Sequence, residues 1–373
     1  GRYPVWKHTS VKYFPIGEEM FASMLEDLKK AEHYIYLEYF IIEQGIMWNS
    51  ILEILEQKVK EGVEVRLIYD DVGCVDRLPI HYTKLMENKG IKCMAFNRFV
   101  PFLSLAMNNR DHRKILVIDG YIGYSGGINL ADEYINEKAR FGHWKDTAVL
   151  LRGDAVQSLT MIFLQMWDVD MRGVEPYGKY LTKKAESLND RLGYVIPYAD
   201  SPFDHENVGE EVYFHILNHA KKYVHIMTPY LILDSDMITS LTFAAKRGIE
   251  TIIIMPHIPD KWYAFAVAKT YYKELIEGGV QIYEYTPGFV HAKVFVSDDD
   301  TATVGSINLD YRSLYLHFEC GVFIYRNPVV RDIEKDFQET LAKCQKVTMT
   351  EVRNRSTFVK IYGQVLRIVA PLM

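Results

Sequence analysis

Two stretches of the chain repeat one set of reactive side chains. The first runs His112-Arg113-Lys114, then Asp119, then Gly126-Gly127-Ile128-Asn129; the second runs His291-Ala292-Lys293, then Asp298, then Gly305-Ser306-Ile307-Asn308. In both, the asparagine stands 17 positions after the histidine. Composition alone yields such a match roughly once in 10⁷ positions, so two at equivalent places mark a duplicated site. The residues after each lysine are apolar and β-branched, which predicts a buried strand, and on a strand positions i and i+2 share a face. His112 and Lys114 therefore point one way with Arg113 opposite, and His291 and Lys293 do the same with Ala292 opposite.

Two histidines, two lysines and two asparagines meeting between the repeats suit a tetrahedral phosphate with two ester arms. Lys114 and Lys293 supply point charges for the non-bridging oxygens, and the Asn129 and Asn308 amides donate to them as charge develops. One histidine attacks phosphorus while the other protonates the leaving alkoxide. With a reference pKa of ~6.5, one ring neutral and one protonated is a modest demand near neutrality. A nucleophilic imidazole also needs its second nitrogen held by a carboxylate. Asp146 and Glu319, downstream of the two motifs, are the candidates. Asp119 and Asp298 sit five residues past their lysines, where spacing predicts anchors for the following turn.

The elements that must position these groups repeat as well. Apolar runs at 34–42 and 223–231 each follow a helical stretch ending in a lysine pair. Each precedes an amphipathic helix, 48–61 or 235–247, closed by Gly62 or Gly248. Strands at 63–69 and 249–255 follow, then second helices ending at Gly90 and Gly279, then strands at 91–96 and 280–285. Helices alternating with apolar strands predict an α/β fold of two pseudo-symmetric lobes, each a mixed sheet flanked by helices, with the site at their interface. The lobes are expected at 1–185 and 186–373, joined through the polar segment 171–210, with 194–198 the first strand of the second. Before its motif, lobe one is about ten residues longer and carries the apolar run 99–107. That run, the stripe on 262–276 and the C-terminal amphipathic stretch 358–369 are each either core packing or contacts to a lipid surface.

The duplicated HxKx₄D followed by GGxN or GSxN resembles the phospholipase D superfamily. Longer runs resemble the bacterial cardiolipin synthase branch: Asn108 to Lys114, Gly127 to Tyr134, Trp144 to Thr147, Thr228-Pro229-Tyr230, Tyr283 to Lys293 and Asn308 to Ser313. The resemblance covers nearly the whole chain. It implies His112, Lys114, Asp119, His291, Lys293 and Asp298 as the catalytic set. It also implies transfer of a phosphatidyl group from one phosphatidylglycerol to another through a phosphohistidine. The product is cardiolipin, glycerol is released, and no cofactor is needed. His112 is taken as nucleophile and His291 as acid, although the near-symmetry leaves the reverse open. Members of this branch begin with membrane helices absent from this sequence, so the chain resembles a catalytic region acting at the cytoplasmic face of the bacterial membrane, with phosphatidylglycerol and an anionic surface as partners. One departure is Gly127 against Ser306, a hydroxyl present on one side only.

Composition narrows the rest. Of 373 residues 49% are hydrophobic, and no apolar run nears the ~18 of a spanning helix. The net charge of -6 and the absence of a basic stripe with interleaved aromatics argue against nucleic acid as a partner, and so against a nuclease of the same superfamily. The four cysteines form no CxxC pair and the other histidines no metal-ligand spacing, so no metal site is expected. A hydrolytic phospholipase D differs only in whether water or an alcohol attacks, and the motifs do not separate the two. A non-enzymatic scaffold would need a degraded motif, and both are intact.

Overall fold

A computed structural model describes residues 3–98, 108–170, 176–180, 193–354 and 357–368. Lobe one contains β1 (Thr9–Phe14), α1 (Gly17–Leu28), β2 (Tyr34–Tyr39), α2 (Ile46–Lys60), β3 (Glu64–Asp70), α3 (Asp71–Cys74), α4 (Tyr82–Glu87) and β4 (Lys92–Phe96). It continues with β5 (Lys114–Ile118), β6 (Ile122–Gly126), β7 (His143–Lys145), β8 (Ala148–Gly153) and α5 (Val156–Asp170). Lobe two begins with β9 (Tyr194–Asp200), α6 (Val208–His219), β10 (Tyr223–Met227), α7 (Ser235–Lys246), β11 (Glu250–Pro256), α8 (Trp262–Glu277) and β12 (Gln281–Tyr285). Then come β13 (Gly288–Val290), β14 (Val294–Ser297), β15 (Thr301–Gly305), α9 (Tyr311–Tyr315), β16 (Glu319–Tyr325), α10 (Val329–Leu341), β17 (Cys344–Lys346), α11 (Met349–Asn354) and α12 (Thr357–Ile368).

The first sheet has the order β1-β8-β6-β5-β2-β3-β4 and the second β17-β12-β11-β10-β14-β15-β16-β9. Apart from β17, the second repeats the first strand for strand. In each, three strands run parallel through helical crossovers and the motif strand returns antiparallel beside them. The apolar runs read as continuous because both faces of each sheet are covered. Gly62 and Gly248 close α2 and α7 at φ +90 and +87, a left-handed stop that glycine adopts without a Cβ penalty.

Helices α5 and α10, each following the last motif-side strand of its lobe, fill the space between the two sheets. Their Phe163, Trp167, Ile333 and Phe337 share one core with inward residues of both. Separate cores lie under the outer helices of lobe one and of lobe two. Tyr13 donates to Asp336, and Lys145 pairs with the same carboxylate at 2.7 Å, so the lobes are tied by buried polar contacts too. The N-terminus also reaches across, Trp6 bridging to Val195 and Tyr3 donating to the Ala199 carbonyl. The expected 185/186 boundary lies outside the described residues, as does the run 99–107.

Of the other two stretches, α8 is split. Tyr272 is fully buried whereas Trp262 is 63% exposed. Helix α12 docks on α8: Tyr362 stacks on Trp262, and the Arg367 guanidinium lies 4.1 Å from the centre of the Tyr271 ring. The docking reading of the C-terminal stretch therefore holds. Among the described residues no helix is long and apolar enough to cross a membrane.

Candidate active site

Strand β5 lies antiparallel to β2 with Lys114 opposite Tyr39, and β14 lies antiparallel to β10 with Val294 opposite Met227. Both motifs therefore deliver their histidine and lysine at the carboxyl ends of the parallel strands, the usual binding edge of such sheets. Each histidine sits on the extended segment just before its strand, where the opposite lobe holds it. The His112 amide donates to the Phe318 carbonyl at 2.9 Å and the His291 amide to the Lys145 carbonyl at 2.7 Å. Asp111 bridges to Phe318, and β13 pairs with β7 in parallel. Arg113 turns away from the site, as alternation predicts, into a buried pair with Glu38 at 2.7 Å.

The orienting carboxylates are crossed. Nδ1 of His112, in lobe one, faces Glu319 of lobe two at 2.9 and 3.0 Å. Nδ1 of His291, in lobe two, faces Asp146 of lobe one at 2.6 Å. Both carboxylates are fully buried, and each leaves Nε2 as the free nitrogen of its ring. The glycine–serine difference now has a physical sense. Ser306 donates its hydroxyl to Glu319, whereas a Cβ on Gly127 would come within 2.2 Å of Asp146 Oδ1. One half-site thus braces its carboxylate with a hydroxyl, and the other makes room for a carboxylate on a shorter side chain.

Electrostatics differ from the sequence expectation of one neutral and one protonated ring. Burial, reinforced by Lys114 and Lys293, holds both imidazoles below their ordinary value, so both are neutral in the free site. Burial also pushes Lys114 down to about 8 and Lys293 down to about 7, and pushes Asp146 up to about 6 against the pull of Lys293. Below about pH 6, Asp146 gains a proton and loosens its hold on His291; above about 7 to 8, the lysines lose their positive charge. The expected kcat/KM profile is therefore a bell with limbs near 6 and between 7 and 8, and an alkaline limb near 10 would contradict it.

Asn129 and Asn308 are buried, with one amide N–H each committed to the protein. Asn129 donates to Tyr134 at 2.7 Å and accepts from the Ile41 amide, while Asn308 donates to Ser313 at 3.1 Å.

Asp119 and Asp298 are not brought into the site. They stand at the far ends of the motif strands, where Asp119 accepts from the amides of Glu32, His33 and Tyr34 and Asp298 from those of Lys221, Lys222 and Tyr223. They anchor the entry to β2 and β10 rather than the turn that follows them, because antiparallel pairing returns the strand end to the start of its neighbour. Asp119→Ala is expected to cost about 1–3 kcal/mol of stability, read as a lower urea midpoint, with activity per folded molecule unchanged.

Several flanking groups were not singled out from sequence. The Phe40 ring packs edge-on against His112 at 4.9 Å, and Trp144 and Tyr134 pack on His291. Lys261 adds to the positive field at both histidines. Asp70, at the end of β3, holds Arg110 at 2.9 Å and the Asp111 amide, which fixes the approach to His112. His317 stands two positions before Glu319, as Trp144 stands two before Asp146, and that matched offset is its signal in the sequence.

A family model described as "Cardiolipin synthase, PLD-like domain" matches residues 24–167 and 213–341, most of both lobes. The chain belongs to the phospholipase D-like cardiolipin synthase family. A cardiolipin synthase of Alkalihalophilus pseudofirmus is 36% identical over the whole chain and 74% of its own length. An uncharacterized protein of Streptococcus mutans is 54% identical over the whole chain and 80% of its length. The crystal structure of phosphatidylserine synthase from Haemophilus influenzae superposes with a TM-score of 0.74 at 15% identity, covering 97% of this chain and 95% of that one. That likeness concerns the fold. Within the family fold, both of this chain's motifs are intact and both histidines have a buried carboxylate partner.

Proposed function

We propose that the chain is a phosphatidyltransferase that converts two phosphatidylglycerols into cardiolipin and glycerol. The observation that carries this reading is the crossed pair of histidines, each with Nδ1 on a buried carboxylate and Nε2 free, with a lysine beside each. His112 Nε2 attacks phosphorus of the donor lipid, and the glycerol oxygen leaves with a proton from His291. The negative phosphodiester raises the pKa of His291 as it binds, which supplies that proton. His291, now neutral, takes the proton from the hydroxyl of a second phosphatidylglycerol. That oxygen attacks phosphorus and frees His112. The roles are assigned in this order because Glu319 is braced by Ser306 and faces His112 with both oxygens. Nδ1 of His291, by contrast, lies between Asp146 and the Lys293 ammonium, 2.8 Å away, a setting suited to a ring that gains and loses a proton.

The functional halves are taken as 1–185 and 186–373, with Lys114, Lys293, Asn129 and Asn308 on the phosphate. An anionic membrane surface is the proposed setting. Phe203, 65% exposed and packed on Phe318 beside His317, and Trp262 beside Lys261 place apolar groups around the charged site. The test is mass spectrometry of products from phosphatidylglycerol vesicles. Cardiolipin and glycerol in equal amounts support transfer; phosphatidic acid in their place would make the chain a hydrolase.

A further inference from the structure

A third imidazole stands against the His112 pair. The His317 ring centre lies 5.7 Å from that of His112, and its Nδ1 is 3.8 Å from Glu319 Oε1. Its side chain is only 10% exposed, yet among the described residues neither ring nitrogen has a hydrogen-bond partner. A buried imidazole with both nitrogens unanswered carries a desolvation cost that a ligand would relieve. The other half-site has no such group, because Trp144 occupies the equivalent position against His291.

One donor atom each from His112, His317 and Glu319 lies within 4.8 Å of the others. Tetrahedral zinc with bonds of about 2.0–2.1 Å needs donors about 3.3 Å apart, and the separations of 2.9 and 3.8 Å from Glu319 bracket that value. Two imidazoles and a carboxylate are a zinc-type donor set, and too nitrogen-rich for magnesium or calcium. We propose that His112, His317 and Glu319 bind one Zn²⁺ and that the ion switches the enzyme off.

The inhibition follows from proton bookkeeping and rests on the reading of His112 as nucleophile. With Nδ1–H donating to Glu319, the His112 ring keeps its lone pair on Nε2. Zn²⁺ takes the Nδ1 lone pair, so the Nδ1–H bond breaks and the proton moves to Nε2. No proton is gained or lost, but Nε2 then has no lone pair to attack phosphorus.

The test begins without lipid, so its outcome is independent of the substrate. Calorimetric titration of the purified chain with ZnCl2 should show one ion bound, with MgCl2 showing none. His317→Asn and His317→Gln should each weaken zinc binding by at least about 10-fold while retaining the wild-type melting temperature. Replacing zinc by Co²⁺ in the wild type should give the visible absorption of a tetrahedral ion, a readout that needs no variant. With phosphatidylglycerol in large excess over metal, zinc that halts the wild type should leave the His317→Asn enzyme turning over. Absence of stoichiometric zinc and of the cobalt band, or equal zinc binding or inhibition in wild type and both variants, would overturn the proposal.

Discussion

Glu319→Gln is expected to lower turnover by about 10²- to 10⁴-fold without unfolding the chain. The substitution keeps the size of the side chain but replaces a carboxylate that accepts from His112 Nδ1 with an amide that also donates. His112 then has reason to hold its proton on Nε2, where it blocks attack, and loses the negative charge that stabilises the ring as its charge grows. Asp146→Asn should act the same way on His291, through the other lobe. Because the two carboxylates hold rings that act together in the same steps, the double variant should fall short of the product of the two single losses. The measurement is kcat for the three variants beside their melting temperatures. A loss below tenfold in either single variant, with the fold intact, would remove the crossed pairs from the mechanism.

The second large effect concerns the histidines themselves. His112→Ala and His291→Ala should each reduce product formation by about 10⁴-fold or more, since each ring serves in both half-reactions. They should differ in what can be trapped. Phosphatidylglycerol labelled at phosphorus, mixed with wild type and quenched in alkali, should leave label on the peptide containing His112. His291→Ala, lacking the acid, should accumulate less label and at a lower rate. Using a donor with a leaving group that needs no proton should restore labelling in His291→Ala but not in His112→Ala. Label on the peptide containing His291 would reverse the assignment.

Much of this architecture was legible in the residues because it is duplicated. The apolar runs, the glycine stops after α2 and α7, and the motif spacing occur twice, so each copy corroborates the other. Asp146 and Glu319 stood out as carboxylates downstream of the motifs. Which histidine each would serve did not, since that depends on how the lobes face each other, and nothing local in the chain encodes a contact between His112 and Glu319. The neutrality of both rings was hidden for a related reason: it arises from burial and from lysines supplied by both lobes. Asp119 and Asp298 show the opposite case. Their strict spacing marks a conformational need, three backbone amides at the start of a neighbouring strand, rather than chemistry. His317 was invisible as one histidine in a single copy, and aligning the two carboxylates, which sets it against Trp144, is the comparison that exposes it.

The reciprocal hold between the lobes has a consequence for how the two halves can differ. A contact in which residue i of one unit grips residue j of the other, and j grips i in return, is the pattern of a two-fold dimer interface. In a dimer of identical chains, every change is made twice, and the two histidines must remain equivalent. Joined in one polypeptide, the halves are free to diverge. Here one carboxylate is an aspartate and the other a glutamate, Gly127 stands where the second lobe has Ser306, and Trp144 and His317 hold equivalent positions. Each difference gives the two imidazoles unlike surroundings, an asymmetry that a pair of identical chains could not encode.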